Sequence, residues 1–115
     1  FVRGQSKIHG APKDRDFLGI PNGRIVLVED VIVRGGATIE TIKKLKKIKI
    51  TPCAIIALSD RTDDESKRKL MKILNKYNIN FYSLTNQREV VEEAVKILKP
   101  SKNIIEKLRA LNRID

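Results

Sequence analysis

Along this chain the apolar positions alternate between short unbroken runs and stripes of helical period. Residues 24–29 form a β-branched-rich run entered through Asn22-Gly23, which predicts a buried strand. Residues 38–48 place Ile39, Ile42, Leu45 and Ile48 on one face, the spacing of an amphipathic helix. A second apolar run, 53–58, follows Pro52. Thr62-Asp63-Asp64-Glu65 has the spacing of a capping box, with Thr62 as cap and Glu65 reaching back to it. The helix it opens is expected to bury Leu70, Met71, Ile73, Leu74 and Tyr77. Residues 79–84 predict a third strand. A helix over 86–98 would turn Val90, Val91, Ala94, Val95 and Leu98 inward. Pro100-Ser101 opens a last helix with Ile104, Ile105, Leu108 and Leu111 inward.

Strands alternating with helices imply an α/β fold, a parallel sheet flanked by helices on both faces. Residues 1–23 carry most of the glycines among charges and predict a loop, or two short strands around one. The expected organisation is therefore a loop region over 1–23, an α/β core over 24–98 and a C-terminal helix over 99–115. With 115 residues, 41% of them hydrophobic, the chain can close one core and not two. No apolar run approaches the ~20 residues of a membrane span. The single cysteine, Cys53, fits a reducing cytoplasm, the expected compartment.

The net charge is +10. Its lysines fall largely in two runs, 43–49 and 67–76, each interleaved with apolar residues at helical spacing. They read first as the wet sides of helices, and with few aromatics for base stacking no nucleic-acid partner is expected.

The chemistry concentrates at the end of the first run. Glu29 and Asp30 are expected to finish that strand at the carboxyl edge of the sheet, where parallel sheets bind ligands. Two carboxylates there can accept hydrogen bonds from vicinal hydroxyls or help hold hydrated magnesium. The turn that follows, Val33 to Ala37, leads into a helix. Its free amides and the helix dipole favour an anion, and Gly35-Gly36 lets backbone approach a phosphate. Acids for a sugar beside amides for a phosphate suggest a ribose phosphate. The same pattern also describes a plain strand-turn-helix with solvated acids, and spacing alone leaves both open.

The stretch 24–38 resembles the phosphoribosyl-pyrophosphate motif of type I phosphoribosyltransferases. Two further segments resemble the orotate phosphoribosyltransferases among them. FVRGQSKIHG, with Arg3, Lys7, His9 and Gly10, is similar to their catalytic loop. LSDR, with Asp60 and Arg61, is similar to the strand that ends in their Asp-Arg pair. Residues 79–84 resemble the next strand. The likeness runs in order from Phe1 to about Leu98.

The resemblance implies a Rossmann-like fold lacking its N-terminal half, since family members are roughly twice as long. It implies transfer of phosphoribosyl from phosphoribosyl pyrophosphate to orotate, with Mg2+ and in a homodimer. Lys7, His9 and Asp30 would be catalytic. Arg3 would join Lys7 and His9 on the pyrophosphate. Glu29 would bind ribose hydroxyls with Asp30. Val33, Arg34, Gly35, Gly36 and Ala37 would hold the 5-phosphate, and Arg61 would contact orotate. Such a half is expected to be inactive alone. Val33 stands where a hydroxyl residue is usual, Arg34 where a small one is, and Gly4 where a second base often stands. These departures suit the alternative, a non-catalytic sensor of phosphoribosyl pyrophosphate or a nucleotide.

Overall fold

A computed structural model describes residues 2, 8–11, 15–19, 21–111 and 113–114. Three strands form a parallel sheet in the order β1 (Val26–Ile32), β2 (Ala54–Asp60), β3 (Asn80–Asn86). Between them run helices α1 (Gly36–Lys47) and α2 (Asp64–Lys76), and after them α3 (Gln87–Leu98) and α4 (Lys102–Ala110). The register is constant, from Val26 beside Ala54 to Ile32 beside Asp60, and from Ala54 beside Asn80 to Asp60 beside Asn86.

Because the strands follow one another across the sheet, right-handed crossovers set α1 and α2 on the same face. Leu27, Ile55 and Ala57 point to that face and are buried there under Ile42, Leu45, Leu70 and Leu74. Phe17, tied to Val2 by an antiparallel bridge, joins the same core from the N-terminal region. The alternate strand positions are open instead. Val28 is 72% exposed, Leu84 74% and Tyr82 57%, with Val26 and Leu58 also exposed. The expected parallel α/β sheet is present, and the described helices cover one of its faces far more heavily than the other.

Several local expectations are corrected. β1 does not finish on Glu29-Asp30 but pairs two residues further, to Ile32. Thr62 does not cap α2. Its hydroxyl donates to Asp60 Oδ1 (2.6 Å), so Asp63 becomes the cap and accepts from the Ser66 amide (2.7 Å). Glu65 pairs with Lys69 rather than reaching back. The capping box sits one helix later, where Asn86 and Glu89 satisfy each other's amides at the start of α3. Val90 and Leu98 on α3, Ile104 on α4 and Leu111 just after it are exposed rather than inward.

An exposed apolar sheet face is a contact surface in water. The chain is expected to self-associate with rising concentration. Val28→Lys combined with Leu84→Lys, both at exposed positions, should suppress this in sedimentation equilibrium without lowering the melting temperature.

Candidate functional site at the carboxyl edge of the sheet

The carboxyl ends of β1, β2 and β3 and the starts of α1, α2 and α3 meet at one edge. The amide of Arg61 donates to the carbonyl of Ile32 (2.8 Å), which pins the turn after β2 to the end of β1. Asp60 turns inward. It accepts from the Thr62 amide and hydroxyl and from the Lys67 ammonium group, which also lies 3.8 Å from the centre of the Phe81 ring. Burial would raise the Asp60 carboxyl, but these donors outweigh it and hold it below its ordinary range. Asp60 therefore fastens the turn, and the neighbouring Arg61 is left exposed at the rim.

The turn from β1 into α1 is built on Gly35, which is buried with φ 71° and ψ 0°. An added Cβ there would lie 3.3 Å from the Leu70 side chain, so both the backbone angle and the space call for glycine. Gly35 is the N-cap of α1 and offers no side-chain oxygen. α2 and α3 start at the same edge with capping side chains and with acids in their first turns. α1 has neither. Its first amides, at Gly36, Ala37 and Thr38, are the ones left for an anion, and the helix dipole favours one there. Gly36 and Ala37 are exposed.

Glu29 and Asp30 are successive residues of a strand, so their side chains leave its two faces. Glu29 lies on the α1 side, half-buried, and accepts from the Thr38 hydroxyl at 3.4 Å. Desolvation pushes its carboxyl above the ordinary value near 4.5, and the Asp30 charge adds to this, against the opposing hydrogen bond. Asp30 is exposed and accepts from the Val31 amide (2.7 Å). An open groove of about 730 Å³ runs along β1 and takes in Glu29, Ala37, Glu40 and Lys44, though neither Asp30 nor Gly35 lines it.

Val33 and Arg34 are exposed in the turn. The Ser66 amide chiefly, and the Arg34 charge to a lesser degree, hold the Asp63 carboxyl below its usual range. Arg34 thus lies within electrostatic reach of the α2 cap. His9 is exposed, beside Gly10 at φ 107°. Arg3, Gly4 and Lys7 lie outside the described residues. The structure therefore joins Glu29, Gly36, Ala37 and the Arg61 backbone at one edge and sets Asp30 on the other side of the strand. Thr38 and Lys67 were missed from sequence. Thr38 was legible in principle, as a hydroxyl in the first helical turn after the acids.

No family model matches the chain. Among curated proteins it is 30% identical over 108 residues to the orotate phosphoribosyltransferase of Staphylococcus epidermidis, covering 94% of this chain and 51% of that protein. It is 33% identical over 94 residues to the orotate phosphoribosyltransferase of Nitrosomonas europaea, covering 79% of this chain and 40% of that one. This chain is a relative of the orotate phosphoribosyltransferases. The uridine 5'-monophosphate synthase of Caenorhabditis elegans also matches, at 27% over 91 residues, 79% of this chain and 17% of that protein. The chain spans about half the length of the first two relatives or less. Among the described residues no group of three or more His, Cys, Asp or Glu gathers to hold a metal, and no helix is long and apolar enough to cross a membrane.

Two substitutions test this reading of the edge. Gly35→Ala should cost about 1–3 kcal/mol in urea denaturation, from the left-handed backbone and the crowding of Leu70. Glu29→Gln should stabilise the fold at pH 7. The Glu29 carboxyl is raised in the folded state, so its contribution is present below about pH 4.5 and lost as pH rises through the folded value. The advantage of the glutamine should therefore grow between pH 4 and pH 7 and vanish at pH 3.

Proposed function

We propose that the chain supplies the ribose-phosphate and base half of an orotate phosphoribosyltransferase, converting orotate and phosphoribosyl pyrophosphate to orotidine 5'-phosphate and pyrophosphate in pyrimidine synthesis. The observation that carries this is the uncapped, acid-free start of α1 over a glycine turn, beside Glu29, in a relative of those enzymes.

In this reading the amides from Gly35 to Thr38 receive the 5-phosphate, with Val33 and Arg34 at the rim of the same turn. Glu29 and Asp30 accept hydrogen bonds from the ribose hydroxyls. For Asp30, on the far side of the strand, this requires the sugar to straddle the end of β1. Arg61 offers its guanidinium to the orotate carboxylate, held there by the fastened turn of Asp60, Thr62 and Lys67. Arg3, Lys7 and His9 neutralise the departing pyrophosphate, the point where negative charge develops. With no third His, Cys, Asp or Glu grouped with Glu29 and Asp30 among the described residues, magnesium would arrive on substrate oxygens rather than in a closed protein cage. Magnesium would supply further charge neutralisation at the leaving group. The working protein is expected to be a cytoplasmic homodimer.

A second reading is favoured by Val33, which presents no hydroxyl to the phosphate, and by Arg34, which stands where a small residue is usual. In it the same site senses the ligand without turnover.

Calorimetric titration of this chain with phosphoribosyl pyrophosphate and magnesium tests both. Binding is expected, with Asp30→Asn and Gly36→Pro each weakening it about tenfold or more, the scale of one lost charge-assisted contact. Binding unchanged by both variants would remove the assignment. With the N-terminal half of such an enzyme present, loss of orotate absorbance supports the transferase, and binding without it supports the sensor.

A further inference from the structure

Sequence spacing reads the lysines of α1 and α2 as solvated faces, one helix at a time. The fold adds what spacing does not contain. Both helices run opposite to the strands, so both end at the amino edge of the sheet, the pole away from the site. Lys46 and Lys47 in the last turn of α1, Lys49 just beyond it, Lys72 and Lys76 in the last turns of α2, and Arg24 before β1 gather there, all exposed. The Tyr77 ring ties the two helix ends together, with Lys46 Nζ at 4.8 Å and Lys76 Nζ at 5.5 Å from its centre.

No acid offsets them in sequence, since residues 17–28, 41–59 and 66–84 contain no Asp or Glu. The acids collect instead at the opposite edge, in Glu29, Asp30, Asp60, Asp63, Asp64, Glu65 and Glu89. Among the described residues none of the six cations carries an ion pair, while Lys67, Lys69 and Lys96 elsewhere do. The dipole at a helix C-terminus favours one or two lysines in its last turn. It gives no reason for three connecting loops and two helix halves to exclude every carboxylate.

We infer that the amino edge of the sheet is a docking surface for the phosphate backbone of double-helical nucleic acid, read without sequence preference. Lysine is depleted in the cores of protein interfaces, which argues against an acidic protein partner. Anchoring to an anionic lipid surface draws on inserted apolar side chains, and among the described residues near this edge Val26 and Leu18 are exposed while Ile25, Ile48 and Ile50 are partly buried and Ile79 is buried. Compact ammonium groups on flexible stems, around a Tyr77 ring that is only half-exposed and faced by Lys46 and Lys76, suit a duplex backbone rather than stacked single strands. This surface is separate from the carboxyl edge and does not depend on the function proposed for it.

Fluorescence anisotropy of a labelled 20-base-pair DNA duplex of mixed sequence, titrated with this chain, tests it. If about five phosphates are neutralised, affinity should fall roughly 500-fold between 50 and 200 mM salt. Lys47→Gln, Lys49→Asn and Lys72→Gln together, all at solvent-exposed positions, should reduce the slope of log affinity against log salt by about three. Lys96→Gln, Lys102→Gln and Lys107→Gln remove the same charge from α3 and α4 and should leave that slope unchanged. Equal losses from both triples would assign the effect to net charge and overturn the proposal. So would salt-independent binding, or binding to phosphatidylserine vesicles with none to the duplex.

Discussion

The parallel register between β1 and β2, closed by the Arg61 amide on the Ile32 carbonyl, sets everything at the site edge. It brings the ends of two strands level, so that the turn into α1 and the turn into α2 open side by side. Shifting β1 by one residue would exchange Leu27 for Val28 in the core and carry Glu29 away from Thr38. Leu27 and Ile55 under α1 and α2 oppose that slip, and Gly35 against Leu70 sets the start of α1 on the middle of α2. The same packing that stabilises the fold thus fixes where an anion can approach α1.

Polar groups at this edge divide by whether the chain already satisfies them. Asp60, Asp63 and Asn86 spend their oxygens on amides, hydroxyls and an ammonium group of their own turns. Their helices are complete without a ligand. α1 starts on glycine, and the nearest carboxylate, Glu29, is bonded to Thr38 and kept partly dry. Desolvation disfavours the charged form of Glu29, and a ligand bearing both hydroxyls and a phosphate would donate to that carboxylate while its phosphate accepts from the α1 amides. Stability and binding pull in opposite directions at Glu29, as is common where a site is built before its ligand arrives.

Much of this was legible in the pattern of residues. The alternation of apolar runs and helical stripes carried the element order and the parallel sheet, because right-handed crossovers leave few alternatives. The glycine turn and the acids were readable because each residue type has few reasons to stand there. Other features depended on tertiary partners. Thr62 looked like a cap until Asp60, brought round at the strand end, captured its hydroxyl. Glu29 stayed inside a strand because the ladder to β2 runs on to Ile32, and Thr38, nine residues on, met its carboxylate across the turn. Period alone named the inward stripe of α3 and α4 but not how far it would be covered: Val91, Ala94, Val95, Ile105 and Leu108 are half-buried, while Val90 and Leu98 remained in water. The gathering of lysines at one pole was invisible for a similar reason, since it joins the ends of two helices separated by a strand.

The central claim, that the open start of α1 is an anion seat, is tested most directly by amide chemical shifts in a nitrogen-15 spectrum of this chain during titration with ribose 5-phosphate. The account requires the largest changes at Gly36, Ala37 and Thr38, saturating together with those of Glu29 and Asp30. Shifts confined to the starts of α2 and α3, with the α1 amides unmoved at saturation, would contradict it.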